Sequence, residues 1–166
     1  MRINKDTNIL IIGLGIIGGS YAKGFTKNGY KINAIDTNEE TIKFALDNGI
    51  IAKGSSQVDA ELIGAADVVI FALYPHIFKG WIKENQKLFK PGTIITDVTG
   101  VKGCIVEDVQ YILREDCEYI AAHPMAGCEK LGIENSNEEI FYQANYIVVP
   151  TESNTENGIE TCRQIG

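Results

Sequence analysis

Short unbroken apolar runs alternate along this chain with longer stretches in which apolar residues recur at helical spacing. Ile9 to Ile12 is such a run, and its lack of alternation is what a strand buried on both faces of a parallel sheet produces. Further runs at Lys31 to Ile35, Ile50 to Ala52, Val68 to Leu73, Thr93 to Asp97, Tyr119 to Ala122 and Asn145 to Val149 predict six more strands. Helical spacing fills the gaps. Ile16 to Gly29 predicts a helix ending at Asn28-Gly29, and Asn38 to Asn48 predicts one ending before Gly49. Pro75 suits the first turn of a helix running to about Leu88, since its missing N–H is not needed there. Helices are also predicted from Val101 to Leu113 and from Asn154 onward. This alternation predicts an α/β fold: a doubly wound, mainly parallel sheet of about seven strands with helices on both faces. The polar stretch Gly127 to Gln143 breaks the rhythm and predicts a mobile loop with a short helix.

The turn after the first strand carries the first chemistry. Gly13, Gly15 and Gly18 form a G-x-G-x-x-G pattern between strand and helix, and Asp36 closes the second strand. Gly13 permits the sharp turn, Gly15 leaves room for a pyrophosphate, and Gly18 lets the helix approach the sheet. The helix N-terminus at Ile16 and Ile17 offers free N–H groups to phosphate. A carboxylate at Asp36 accepts ribose hydroxyls and repels a 2′-phosphate. At about 4 Å and an effective dielectric near 20, that repulsion is roughly 4 kcal/mol. No Arg or Lys follows in Thr37-Asn38-Glu39-Glu40, so the pattern favours NAD over NADP. Leu73, Tyr74 and Pro75, at the end of the fourth strand, are expected to bind the cofactor as well.

Composition narrows the partners. The 166 residues suit one domain, and a net charge of −7 argues against nucleic acid or an anionic membrane. No apolar stretch approaches the ~20 residues needed to cross a bilayer. Met1 to Asp6 lacks a secretory apolar region. Cys104, Cys117, Cys128 and Cys162 are scattered, which indicates neither a metal site nor a disulfide framework, and a cytoplasmic setting is expected.

In this fold class ligands bind beyond the C-terminal ends of the strands. The residues there are Tyr74-Pro75-His76, Asp97 to Gly103, and His123 to Glu129. His123 suits proton transfer near neutral pH and would stand at the mouth of the cleft; spacing alone equally allows a histidine packed beneath a loop. His76 reads as a solvated surface residue. Asp97 reads as a proton acceptor or as a cap for the next turn. Lys102 could hold an anion or project into solvent, Glu129 could belong to a lid or cap a helix, and Trp81 reads as core.

Three segments together resemble the prephenate/arogenate dehydrogenase family: Gly-Leu-Gly-Ile-Ile-Gly-Gly-Ser at 13–20, Asp-Val-Thr-Gly-Val-Lys-Gly at 97–103, and His-Pro-Met-Ala-Gly-Cys-Glu-Lys-Leu-Gly at 123–132. The resemblance implies NAD-dependent oxidative decarboxylation of prephenate to 4-hydroxyphenylpyruvate in tyrosine biosynthesis. It implies that His123 takes the ring-hydroxyl proton, that Lys102 lies near substrate and cofactor, and that Glu129 gates the cleft. The family serine before Val-Lys is Gly100 here; Thr99, one position earlier, could supply a hydroxyl. The family's helical C-terminal domain, which dimerises and supplies an arginine, has no counterpart within residues 1–166. The chain is therefore expected to be the dinucleotide-binding domain of a homodimeric enzyme, binding NAD but turning substrate over poorly alone. Arogenate or another small acid as substrate, and an NAD-binding regulatory module without catalysis, are the alternative readings.

Overall fold

The computed structural model describes residues 2–103 and 105–166. Cys104, one of the scattered cysteines and part of the helix predicted from Val101, lies outside them, as does Met1. Seven strands form one sheet: β1 (Ile9–Ile12), β2 (Ile32–Ile35), β3 (Lys53–Ser55), β4 (Val68–Phe71), β5 (Ile94–Asp97), β6 (Glu118–Pro124) and β7 (Tyr146–Val149). Their order is β3-β2-β1-β4-β5-β6-β7. All neighbours pair in parallel except β6 and β7, which are antiparallel. The order reverses between β1 and β4, and that reversal opens a crevice at their C-terminal ends. The helices are α1 (Ile16–Lys27), α2 (Glu39–Asp47), α3 (Ala60–Ala65), α4 (Pro75–Asn85), α5 (Val106–Ile112) and α6 (Glu156–Arg163). Single 3-10 turns lie at Gln86–Leu88, Ile133–Asn135 and Glu138–Phe141.

The unbroken apolar runs of β1 and β4 are buried at every position. Ile9, Ile11, Val68 and Ile70 face one core with Tyr21, Ala22 and Phe25 of α1. Leu10, Ile12, Val69 and Phe71 face the other, with Phe78 and Ile82 of α4. Burying each such side chain is worth about 1.5–3 kcal/mol, so the two central strands and their helices fix the crevice rigidly.

The structure corrects several sequence expectations. The third strand is Lys53–Ser55 and not Ile50 to Ala52. Ile50 and Ile51 are buried because they plug the core beside α1 and α2, while the ladder begins only where the Ala52 N–H meets Ile32 O at 2.7 Å. A short helix, α3, precedes β4, its amides capped by Asp59. The helix predicted from Val101 starts at Val106, and Lys102, ahead of it, turns its ammonium inward to Asp97. β6 runs on through His123 and Pro124, which pair with Ile147 and Tyr146. The predicted mobile loop holds two 3-10 turns and is docked on α1. There Lys23 Nζ donates to Ser136 O at 2.6 Å, Asn137 N–H donates to Ser20 Oγ at 3.0 Å, and the Phe141 and Tyr21 rings lie 4.6 Å apart.

Candidate active site

The glycine turn leaves β1 at the crevice. Gly13 has φ +93°, and a Cβ there would sit 2.6 Å from Ala72 O at the end of β4. A Cβ on Gly18 would sit 1.9 Å from Gly13 O, so only glycine lets α1 begin this close to the turn. A Cβ on Gly15 would meet no heavy atom within 4 Å. Gly15 is thus not needed for packing, and it faces open space. It is also the N-cap of α1, which has no side-chain cap and no acid in its first turn. By contrast α2, α3 and α6 are capped by Asn38, Asp59 and Thr155. The first amides of α1, at Ile16 and Ile17, are left for an anion.

Asp36 stands where the motif placed it, half-buried just past β2. Its Oδ2 accepts from Leu14 N–H at 2.7 Å and its Oδ1 from Asn38 N–H at 2.9 Å, tying the carboxylate to the glycine turn. Leu73 and Pro75 are half-buried beside the crevice, and Tyr74 projects into solvent, its ring stacked near that of His76. His76 is exposed, and Trp81 packs edge-on against Phe71 at 5.0 Å, as the sequence reading had both.

At the ends of β5 and β6 a buried polar network supports His123. Asp97 is 1% exposed. It accepts from Tyr119 OH at 2.7 Å, from Thr99 N–H at 2.9 Å, from the Thr99 hydroxyl, and from Lys102 Nζ at 2.7 and 2.8 Å. The bland reading of Asp97 as a turn cap holds, but it is also the hub of this cluster. Burial drives the Tyr119 phenol above its ordinary pKa, and the Asp97 carboxylate adds to the effect. Burial pushes the Lys102 ammonium down, against the pull of Asp97.

His123 is half-buried, and its Nδ1 lies 2.8 Å from Val98 O. A carbonyl can only accept, so Nδ1 carries the proton and Nε2 is left bare as the acceptor. A Cβ built on Gly100 would lie 3.7 Å from Nε2 and 3.5 Å from Cε1, so the basic nitrogen faces the space beside Gly100. The sequence left His123 open between a packed and an available imidazole. The geometry makes one ring nitrogen structural and leaves the other available.

Two expectations change. The sequence allows Lys102 to hold an anion or to project into solvent; in the structure its ammonium turns inward to Asp97 and to Ala122 O, which accepts at 2.5 Å. Thr99 was a candidate to replace the missing serine hydroxyl, but it is 6% exposed and its hydroxyl is committed to Asp97. Glu129 is exposed on the rim. Sequence reasoning missed Tyr119, Val98 and Ala122. Tyr119 carried a signal, since a phenol inside an apolar strand needs a buried partner and β5 ends in an acid. The other two act through backbone carbonyls, which leave no trace in residue type. A cavity of about 550 Å³ lies elsewhere, between α1 and the end of α6, and is lined by none of the glycine turn, Asp36 or His123. The glycine turn, Asp36 and His123 stand instead at the C-terminal ends of β1, β2 and β6.

The prephenate dehydrogenase nucleotide-binding domain family matches residues 21–165. The chain belongs to that family. It is 30% identical to the prephenate dehydrogenase of Bacillus subtilis over 167 residues, 99% of this chain and 45% of that protein. It is 34% identical to the enzyme of Lactococcus lactis over 154 residues, 89% of this chain and 42% of that protein. The structure of Aquifex aeolicus prephenate dehydrogenase in complex with hydroxyphenyl propionate and NAD+ superposes with a TM-score of 0.89 at 29% identity, over 99% of this chain and 57% of that one. The chain thus spans about half the length of the relatives it matches. Among the described residues no helix is long and apolar enough to cross a membrane.

Proposed function

We propose that this chain is the NAD-binding half of a prephenate dehydrogenase, and that His123 is its general base. The residues present fit the dinucleotide. Gly15 leaves space over the uncapped start of α1 for a pyrophosphate, Asp36 offers a carboxylate to the ribose, and Leu73 to Pro75 form the facing wall. NAD, when bound, supplies the hydride acceptor for C4 of the substrate ring. The protein supplies position and a proton acceptor. Nε2 of His123 accepts the proton of the ring hydroxyl as the C4–H bond breaks and the carbonyl forms; when the ring carboxylate leaves as CO2 its bonding pair makes the ring aromatic, and Nε2 returns the proton to the phenolate oxygen. Nδ1 stays protonated against Val98 O throughout, so the base is fixed in tautomer and direction.

The observation that carries this reading is the His123 ring held with Nδ1 against Val98 O and Nε2 beside Gly100, at the C-terminal end of β6 in the same sheet whose β1 leads into the glycine turn. The 166-residue chain binds NAD, and full turnover needs the rest of a homodimeric cytoplasmic enzyme, which supplies the cation for the substrate carboxylates. In the full-length protein, NADH and 4-hydroxyphenylpyruvate should form in equal amounts from prephenate. NAD reduction with arogenate and not with prephenate would refute the substrate assignment.

A further inference from the structure

The Asp97 cluster and His123 belong to one closed ring of contacts. His123 Nδ1 is held by Val98 O, and Val98 directly follows Asp97. The Asp97 carboxylate is bound by Lys102 Nζ at 2.7 Å. The same ammonium reaches across to Ala122 O, one residue before His123. The ring therefore runs from Asp97 through Val98, His123 and Ala122 to Lys102 and back. It joins β5 to β6 where their parallel ladder ends, since Asp97 and Ala121 are the last paired residues. Among the described residues no β5–β6 backbone pair follows that register; β7 pairs with His123 on one side, and on the β5 side Lys102 ties the strand end to Asp97. Its side chain is 15% exposed and that of Asp97 is 0% exposed, and Nζ faces four acceptor atoms: both Asp97 oxygens, Ala122 O, and Thr99 Oγ1 at 3.5 Å. An ammonium has three protons to give, and these acceptors use them.

We infer that Lys102 is a positioning residue, clamping the end of β6 to Asp97 so that the His123 imidazole is held against Val98 O, and that it is not an anchor for the substrate anion. Tyr119, by donating to Asp97 Oδ1, serves the same clamp. This inference rests on the reading of His123 as the base, but its test need not.

The 166-residue chain has two histidines, His76 and His123, so 15N-histidine NMR at alkaline pH reads the tautomer directly, with His76→Gln giving the assignment. The unsubstituted chain should show His123 with Nδ1 protonated. Lys102→Gln should give a mixture of the two tautomers. In the full-length protein the same change should lower kcat by about a hundredfold with KM within about threefold, the pattern of lost geometry rather than lost binding. Lys102→Gln leaves Asp97 buried and unpaired and could unfold the chain. The double variant Asp97→Asn/Lys102→Met removes both charges, still cuts the tie to Ala122, and should show the same tautomer mixing. An unmixed Nδ1–H tautomer in these variants overturns the clamp. So does a KM raised tenfold or more by Lys102→Gln with kcat unchanged, the signature of an anion anchor. If His123→Asn left turnover unchanged, the catalytic reading would fall while the tautomer measurement still judged the clamp.

Discussion

Gly15 and Gly18 sit three residues apart in one motif, and a methyl group would meet opposite surroundings at the two positions. A methyl group at 18 would be 1.9 Å from Gly13 O, more than an ångström inside any tolerable contact, and both partners are backbone. Neither α1 nor the end of β1 can yield without disturbing a core buried on both sides. Overpacking typically costs about 1–3 kcal/mol, and a clash with fixed backbone belongs at or above the top of that range. Gly18→Ala should therefore cost about 3 kcal/mol or more, lowering Tm by roughly 6–12 °C at this size. A methyl at 15 would touch nothing within 4 Å, so Gly15→Ala should shift stability by no more than about 0.5 kcal/mol. It would instead occupy the pyrophosphate's space and should weaken NAD by at least tenfold, about 1.4 kcal/mol. Urea unfolding followed by circular dichroism reads the first effect and titration calorimetry the second. If Gly15→Ala bound NAD as tightly as the parent, the turn would not be the pyrophosphate site; if Gly18→Ala kept the parent's midpoint, the packing argument would be wrong.

Further outcomes follow from the same geometry. Burial raises the pKa of Tyr21, of Tyr119 (with Asp97 adding) and of Tyr146 above the ordinary phenol value. The folded state therefore holds these protons after the unfolded chain releases them. Stability is fully present below about pH 10 and should fall above it by about 1.4 kcal/mol per pH unit for each phenol; unfolding midpoints that stay flat to pH 11.5 would contradict this. Asp36→Ser removes the charge that repels a 2′-phosphate and should raise NADP affinity, by at most about a thousandfold, while weakening NAD; unchanged selectivity in calorimetry would free Asp36 of that role. Gly100→Ser adds a Cβ in ordinary contact with His123, 3.5 Å from Cε1, so Tm should move by no more than about 2 °C while the Nε2 nitrogen signal shifts on gaining a hydroxyl donor. An unmoved signal would show that Nε2 does not face that position.

The central strands were legible because burial on both faces writes itself as unbroken apolar runs, and Ile9–Ile12 appears in the structure with the predicted bounds. Ile50 and Ile51 misled for the same reason: apolarity reports burial, and these two are buried without pairing. The glycine turn was legible because Gly13 and Gly18 each answer a distinct steric need. Where side chains would point was not. Lys102 reads identically in sequence whether it reaches outward to an anion or inward to Asp97; the choice follows from Asp97, Thr99 and Ala122 meeting its ammonium through the fold. Gly127 to Gln143 is polar enough to look mobile, yet Lys23 and Ser20 on α1 bind its backbone, contacts separated by over a hundred residues.

The central claim is that NAD and a fixed imidazole share one sheet edge, the imidazole as base. It is tested most directly by His123→Asn in the full-length protein, with NAD binding and prephenate-dependent NADH formation measured side by side. The account predicts an unchanged Kd for NAD and a kcat lowered by about 10²–10⁴, since asparagine can keep the site's polarity but cannot take the proton. Turnover at the parent rate, with NAD still bound, would contradict it.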